Sequence, residues 1–175
     1  MIAHKNGDLF SVEIEKNDQD SKTISLLLHA CNCQGSWRSG VADEFRKRFP
    51  HAHSSYQNFC RALAKEKNTI LGSGVVFSNL SKAASKYSSH HNVACLFTSW
   101  DYGQRKDVVS QIEDATYHSV VNLLSRLKPG TKVIIHSPKI NAGLFAVPWE
   151  KTEAAIEKAI LTSSHVNVSW TVWSL

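Results

Sequence analysis

His29-Ala-Cys-Asn-Cys-Gln-Gly-Ser-Trp-Arg-Ser-Gly40-Val41-Ala42 is the stretch on which the fold turns. It ends the apolar run Ile24 to Ala30 in polar residues, crosses a glycine-bearing loop, and enters a helical repeat at Val41, Phe45 and Phe49. Such a loop can bring backbone close to a ligand, because glycine carries no Cβ and the amides opening a helix favour phosphate oxygens. No Gly-Lys-Ser/Thr follows Gly35 or Gly40, so the P-loop pattern is absent. Taken alone, the loop fits a structural turn equally well. A second stretch, Ser137-Pro-Lys-Ile-Asn-Ala-Gly-Leu-Phe-Ala-Val-Pro-Trp149, has the same organisation. It leaves a strand at Val133 to His136 and enters a helix at Pro148, with Ala142 and Gly143 leaving amides accessible and Phe145 able to cover a base or sugar. Two such loops from neighbouring strands predict a cleft for a diphosphate.

Outward from these loops, short apolar runs at Ile70 to Phe77, Val93 to Thr98 and Val166 to Trp173 predict further strands. Ser11 to Glu15 and Ile2 to Lys5 are weaker candidates. Helical periodicity fills the gaps: Tyr56, Phe59, Cys60 and Leu63 share one stripe, and a long helix starts at Asp107 and stops at Pro129-Gly130. Pro148 opens a final helix that buries Trp149, Thr152, Ile156 and Ile160. Strands alternating with helices predict an α/β fold, a three-layer α/β/α sandwich with a mixed central sheet, as a single domain over 1–175. Ligands of such sheets sit beyond the carboxyl ends of the strands. The polar stretches Lys16 to Lys22 and Asn79 to Asn92 predict surface loops.

Composition narrows the partners. At 175 residues, 42% apolar and 20% charged, the chain is an ordinary soluble globular protein. No run is long enough to span a bilayer, and no secretory signal opens the chain, so cytoplasm or nucleus is expected. The charge of +5 suits an anionic ligand. Nucleic acid is a poorer fit, since the basic residues are not clustered with exposed aromatics. Four cysteines (Cys31, Cys33, Cys60 and Cys95) are expected as reduced thiols. Cys31-Asn-Cys33 lacks the wider spacing and second pair of a zinc site, so no metal and no cofactor are expected.

Four motifs, in order and at matching spacing, resemble the ligand-binding motifs of macrodomains. They are Asn6-Gly-Asp-Leu-Phe10, Leu28-His-Ala-Cys-Asn32, Ser39-Gly-Val-Ala42 and Ile140-Asn-Ala-Gly-Leu-Phe-Ala-Val147. Cys31-Asn-Cys-Gln-Gly-Ser-Trp37 and Gly143-Leu-Phe-Ala-Val-Pro-Trp149 look most like the fungal ADP-ribose 1″-phosphate phosphatases of that superfamily. The resemblance implies that Asp8 accepts from the adenine amino group, with the Leu9 amide beside the base, and that Asn32 holds the distal ribose hydroxyls. It implies a first phosphate loop at Trp37, Arg38, Ser39, Gly40, Val41 and Ala42. The second is Ile140, Asn141, Ala142, Gly143, Leu144, Phe145 and Ala146, with Phe145 against the distal ribose.

The implied substrates are ADP-ribose and ADP-ribose 1″-phosphate, handled by a monomer that clears a by-product of tRNA splicing. On this reading His29 acts beside Asn32 as nucleophile or general acid–base, and Arg38 pairs with the terminal phosphate. Other readings stay open at this point. From the residues alone, Asp8 also fits a turn, Asn32 a loop cap, His29 a core position and Arg38 the solvent. An ADP-ribosylated protein is an alternative partner, and a catalytically silent reader would carry the same loops. Terminal ADP-ribose glycohydrolases use a lysine near Ser99 and an aspartate near Phe145, and this chain has neither.

Overall fold

The run Thr23–Asn32, which feeds the first loop, forms the strand β2 at the heart of the sheet. The computed structural model describes residues 2–12, 22–77 and 92–174. Most of the two polar loops, most of the candidate strand Ser11 to Glu15, and the His90-His91 pair lie outside the described residues. The other strands are β1 (Ile2–Asn6), β3 (Gly74–Phe77), β4 (Asn92–Ser99), β5 (Lys132–Pro138) and β6 (Asn167–Ser174). Their order is β1-β6-β5-β2-β4-β3. Every pairing is parallel except β3 with β4, so the sheet is mixed, and the carboxyl ends of β1, β6, β5, β2 and β4 share one rim.

Helices cover both faces. On one side, α4 (Val109–Ser125) and α5 (Trp149–Thr162) bury Val120, Leu124 and Ile156 against Leu26, Leu28 and Ile135. On the other, α1 (Gly40–Arg48) and α2 (Pro50–Ala62) bury Phe45, Phe49 and Tyr56 against Leu27, Cys31 and Phe97. Strand β2 therefore reads as a near-continuous apolar run, as expected of a parallel strand buried on both faces. Pro50 ends α1 and opens α2, where its missing N–H costs nothing. No helix among the described residues is long and apolar enough to cross a membrane.

Three boundaries differ from the expected ones. Ile70 to Phe77 is not one strand: Ile70 closes a short helix, α3 (Lys67–Ile70), and β3 starts only at Gly74. A Cβ on Gly74 would run into the Ser119 carbonyl oxygen of α4, so the glycine lets the edge strand pack close to that helix. Asp107 does not open the long helix, because its carboxylate turns back to accept from the Trp100 amide at 2.9 Å. Pro148 stands just ahead of α5, as its N-cap.

Candidate functional site

Beyond the carboxyl ends of β2, β4 and β5 lies a cleft of about 760 Å³, within the range of small-ligand sites. The first wall follows β2, with Asn32, Ser36, Trp37, Ser39 and the opening residues of α1. Ser39 at the N-cap makes no side-chain cap bond, so the first-turn amides of α1 keep their capacity for an anion. Gly40 has φ +61°, in the left-handed region, and a Cβ there would lie 3.4 Å from Leu144 Cδ1. The two glycine loops thus meet across the cleft at Gly40 and Leu144.

Asn32 shapes this wall as well as lining it. Its Oδ1 accepts from the Gln34 amide (3.0 Å), the Ser36 amide (3.3 Å) and the Tyr56 hydroxyl (3.0 Å), and its Nδ2 donates to the Ser36 carbonyl at 2.8 Å. One Nδ2 hydrogen remains for a ligand. Tyr56 also donates to the Asn32 carbonyl at 2.7 Å, and burial pushes its hydroxyl well above the usual range, so it stays a donor. Tyr56→Phe removes this support and is expected to lower stability by about 1–2 kcal/mol, read as a fall in Tm.

The second wall comes from the loop after β5 and holds Lys139, Ile140, Asn141, Gly143, Leu144 and Phe145. Asn141 (φ 62°) and Ala146 (φ 56°) occupy the left-handed region, which non-glycine residues enter at a cost. Asn141 is held there by accepting from Thr98 Oγ1 at 2.8 Å and donating to Thr116 Oγ1 at 2.9 Å. Its side chain therefore faces the interior and fixes the loop. Residues 102–106 after β4 form the third wall, with Tyr102, Gly103, Gln104 and Lys106 on the lining. This wall was missed from sequence, although Trp100-Asp-Tyr-Gly-Gln-Arg-Lys-Asp107 is again a glycine-bearing loop between a strand and a helix. Among the described residues no Asp, Glu or His lines the cleft, and the cations on its lining are Lys106 and Lys139. Neither lysine pairs with an acid among the described residues, whereas Arg105 pairs with Asp101 and Lys151 with Glu113.

Several expected residues lie elsewhere. His29 is fully buried beneath the cleft, its ring stacked 4.1 Å from Phe45 and edge-on to Trp37 at 4.5 Å, and it does not line the cavity. A nucleophile or acid–base must touch the substrate, and in this placement the His29 ring is separated from the cavity instead of lining it. With Cys31 and Cys95 it brings one nitrogen and two sulfurs within 4.8 Å of one another. Cys31 Sγ lies 3.8 and 3.7 Å from the two ring nitrogens, beside or over the ring instead of beyond either nitrogen, where a shared metal would need it. Burial also pushes the Cys31 thiol up, which keeps it protonated. The trio is a packing cluster.

His29→Phe is expected to keep turnover within about fivefold, because an aromatic of similar volume refills the site. His29→Ala is expected to cost about 2–3 kcal/mol of stability through the void it leaves. Loss of turnover in His29→Phe at an unchanged Tm would assign His29 the catalytic role. Arg38 is exposed and off the lining, as are Ala142 and Ala146. Trp37 is fully buried and stacks on Tyr56 at 4.8 Å, bracing the first loop from beneath. Asp8 follows β1 on the same rim outside the cleft lining; its Oδ1 accepts from the Phe10 amide at 2.9 Å, and Leu9 is buried.

Three glycine-bearing loops thus stand over one rim of a mixed sheet flanked by helices, and a model of the Macro domain family matches residues 28–156. The chain belongs to the Macro domain family. This macrodomain is 39% identical over 165 residues to the ADP-ribose 1″-phosphate phosphatase of Meyerozyma guilliermondii, covering 87% of the chain and 90% of that protein. The ADP-ribose 1″-phosphate phosphatase of Debaryomyces hansenii is 35% identical over 181 residues, covering 96% and 98%. Among solved structures, Thermosipho africanus DarTG in complex with ADP-ribose aligns with the macrodomain at a TM-score of 0.64 and 15% identity, over 99% of this chain and 42% of that one. That likeness concerns the fold.

Proposed function

We propose that this macrodomain binds ADP-ribose in the cleft and hydrolyses the terminal phosphate of ADP-ribose 1″-phosphate to ADP-ribose and phosphate. The observation that carries this reading is a cleft whose described lining holds two lysines and no acid, with the uncapped start of α1, between two loops that present backbone to a diphosphate. The two relatives named as ADP-ribose 1″-phosphate phosphatases, which match nearly the whole chain, support the choice of substrate. The DarTG complex supports the choice of ligand class.

In this reading the free Asp8 carboxylate oxygen takes the adenine amino group and the remaining Asn32 amide hydrogen takes a distal ribose hydroxyl. The amides of Gly40 to Ala42 and of the 140–146 loop hold the diphosphate, and Phe145 covers the ribose. In the chemical step water adds to phosphorus, the bond from phosphorus to the C1″ oxygen breaks, and that oxygen leaves protonated. Such a transfer needs mainly positioning and stabilisation of spread negative charge, which amides and lysines supply. Calorimetric titration with ADP-ribose, followed by a phosphate-release assay on ADP-ribose 1″-phosphate, tests it. Binding with release is expected. Binding without release would leave a reader or a glycohydrolase, and absence of binding would overturn the reading entirely.

A further inference from the structure

We propose that Lys106 is the residue that distinguishes ADP-ribose 1″-phosphate from ADP-ribose, by pairing with the terminal phosphate. The inference rests on the function proposed above and adds the origin of its substrate preference. Sequence pattern pointed to Arg38 for this role, but Arg38 stands off the cleft lining and Lys106 stands on it.

Position comes first. Strand β4 ends at Ser99, the register partner of Asn32 at the end of β2. The loop that follows is stitched to the first wall: the Cys33 amide donates to the Ser99 carbonyl at 3.1 Å, and Gln34 Nε2 donates to the Trp100 carbonyl at 2.9 Å. The third wall therefore adjoins Asn32, the residue assigned to the distal ribose, and C1″ of that ribose carries the additional phosphate.

The loop is also closed at its base. The Trp100 amide donates to Asp107 Oδ2 at 2.9 Å, the Asp107 amide to Ser99 Oγ at 3.0 Å, and Ser99 Oγ to the Asp101 carbonyl at 2.8 Å. Asp101 further accepts from the Tyr102 amide at 2.8 Å and pairs with Arg105 at 3.2 Å. Its carboxylate is thus engaged by Arg105, whose side chain is 76% exposed. Lys106, half-buried on the cleft wall, has no acid paired to it among the described residues.

Charge then decides the outcome. The two ligands differ by one phosphate monoester, which carries about −1.5 to −2 at neutral pH. A lysine is a compact point charge for such a group and gains most where water is partly excluded. ADP-ribose offers nothing at that place, so its affinity should depend little on Lys106.

The test is Lys106→Met, with Lys128→Met, an exposed lysine beyond α4, as the control for net charge. Phosphate-release kinetics on ADP-ribose 1″-phosphate are measured beside the calorimetric Kd for ADP-ribose. Lys106→Met is expected to lower kcat/KM about tenfold to a hundredfold while the ADP-ribose Kd moves less than about threefold, and Lys106→Arg to recover part of the loss. Equal losses for both ligands, or no loss, would overturn the assignment. The affinity ratio of the two ligands, taken calorimetrically in the cold for wild type and Lys106→Met, separates this proposal from the function beneath it. A wild type that binds neither ligand sinks the function reading and this proposal with it. A wild-type preference for the phosphorylated ligand that survives in Lys106→Met sinks only Lys106.

Discussion

Gly40→Val is expected to weaken ADP-ribose binding at least about a hundredfold, with the fold intact. Two costs meet at this position. The backbone sits at φ +61°, where an L-residue pays about 1–2 kcal/mol and a β-branched one more. The added side chain also grows toward Leu144 on the opposite loop, whose Cδ1 would lie only 3.4 Å from the new Cβ. Relief requires the loop to turn away, which re-aims the amides at the start of α1, or Leu144 to move, which displaces the second loop. Either way the two sets of phosphate donors lose their mutual spacing. Calorimetry gives the Kd, and a thermal melt within about 5 °C of wild type separates a damaged site from a damaged fold. An unchanged Kd would mean that the first loop does not hold the diphosphate.

Asn32→Ala is expected to have an effect of similar size by a different route. The substitution removes the acceptor shared by the Gln34 and Ser36 amides and the donor to the Ser36 carbonyl. Tyr56 keeps its bond to the backbone carbonyl of residue 32 at 2.7 Å, so the anchor beneath survives while the loop above it loosens. The ligand also loses its direct amide contact. Together these should raise the Kd about a hundredfold, roughly 2.7 kcal/mol, and lower the Tm by several degrees. A Kd within about threefold of wild type, alongside a lowered Tm, would reduce Asn32 to the loop cap that its sequence position also allows.

What could be read beforehand followed from local signals. The run into Cys31, the glycine at 40 and the periodicity from Val41 each point the same way, and β2, the first loop and α1 formed where expected. The second loop carried the same signals. The burial of His29 was not legible because its strand is buried on both faces: Leu26, Leu27 and Leu28 are all apolar, so no alternation reveals which side residue 29 takes. Ile70 to Phe77 was read as one strand because the helix that Gly74 packs against is distant in sequence. Lys106 was overlooked because Arg105 and Lys106 look alike as text. Only the fold shows that Asp101 engages the first and that the second lines the cleft.

A cleft whose described lining carries no His, Asp or Glu has a consequence for acidity. No described lining residue is of those types, so the acid limb of the rate profile should belong to the substrate. Turnover per substrate captured should climb as the phosphate monoester loses its second proton near pH 6, then run level through about pH 8. The enzyme would thus borrow its proton switch from the molecule it consumes.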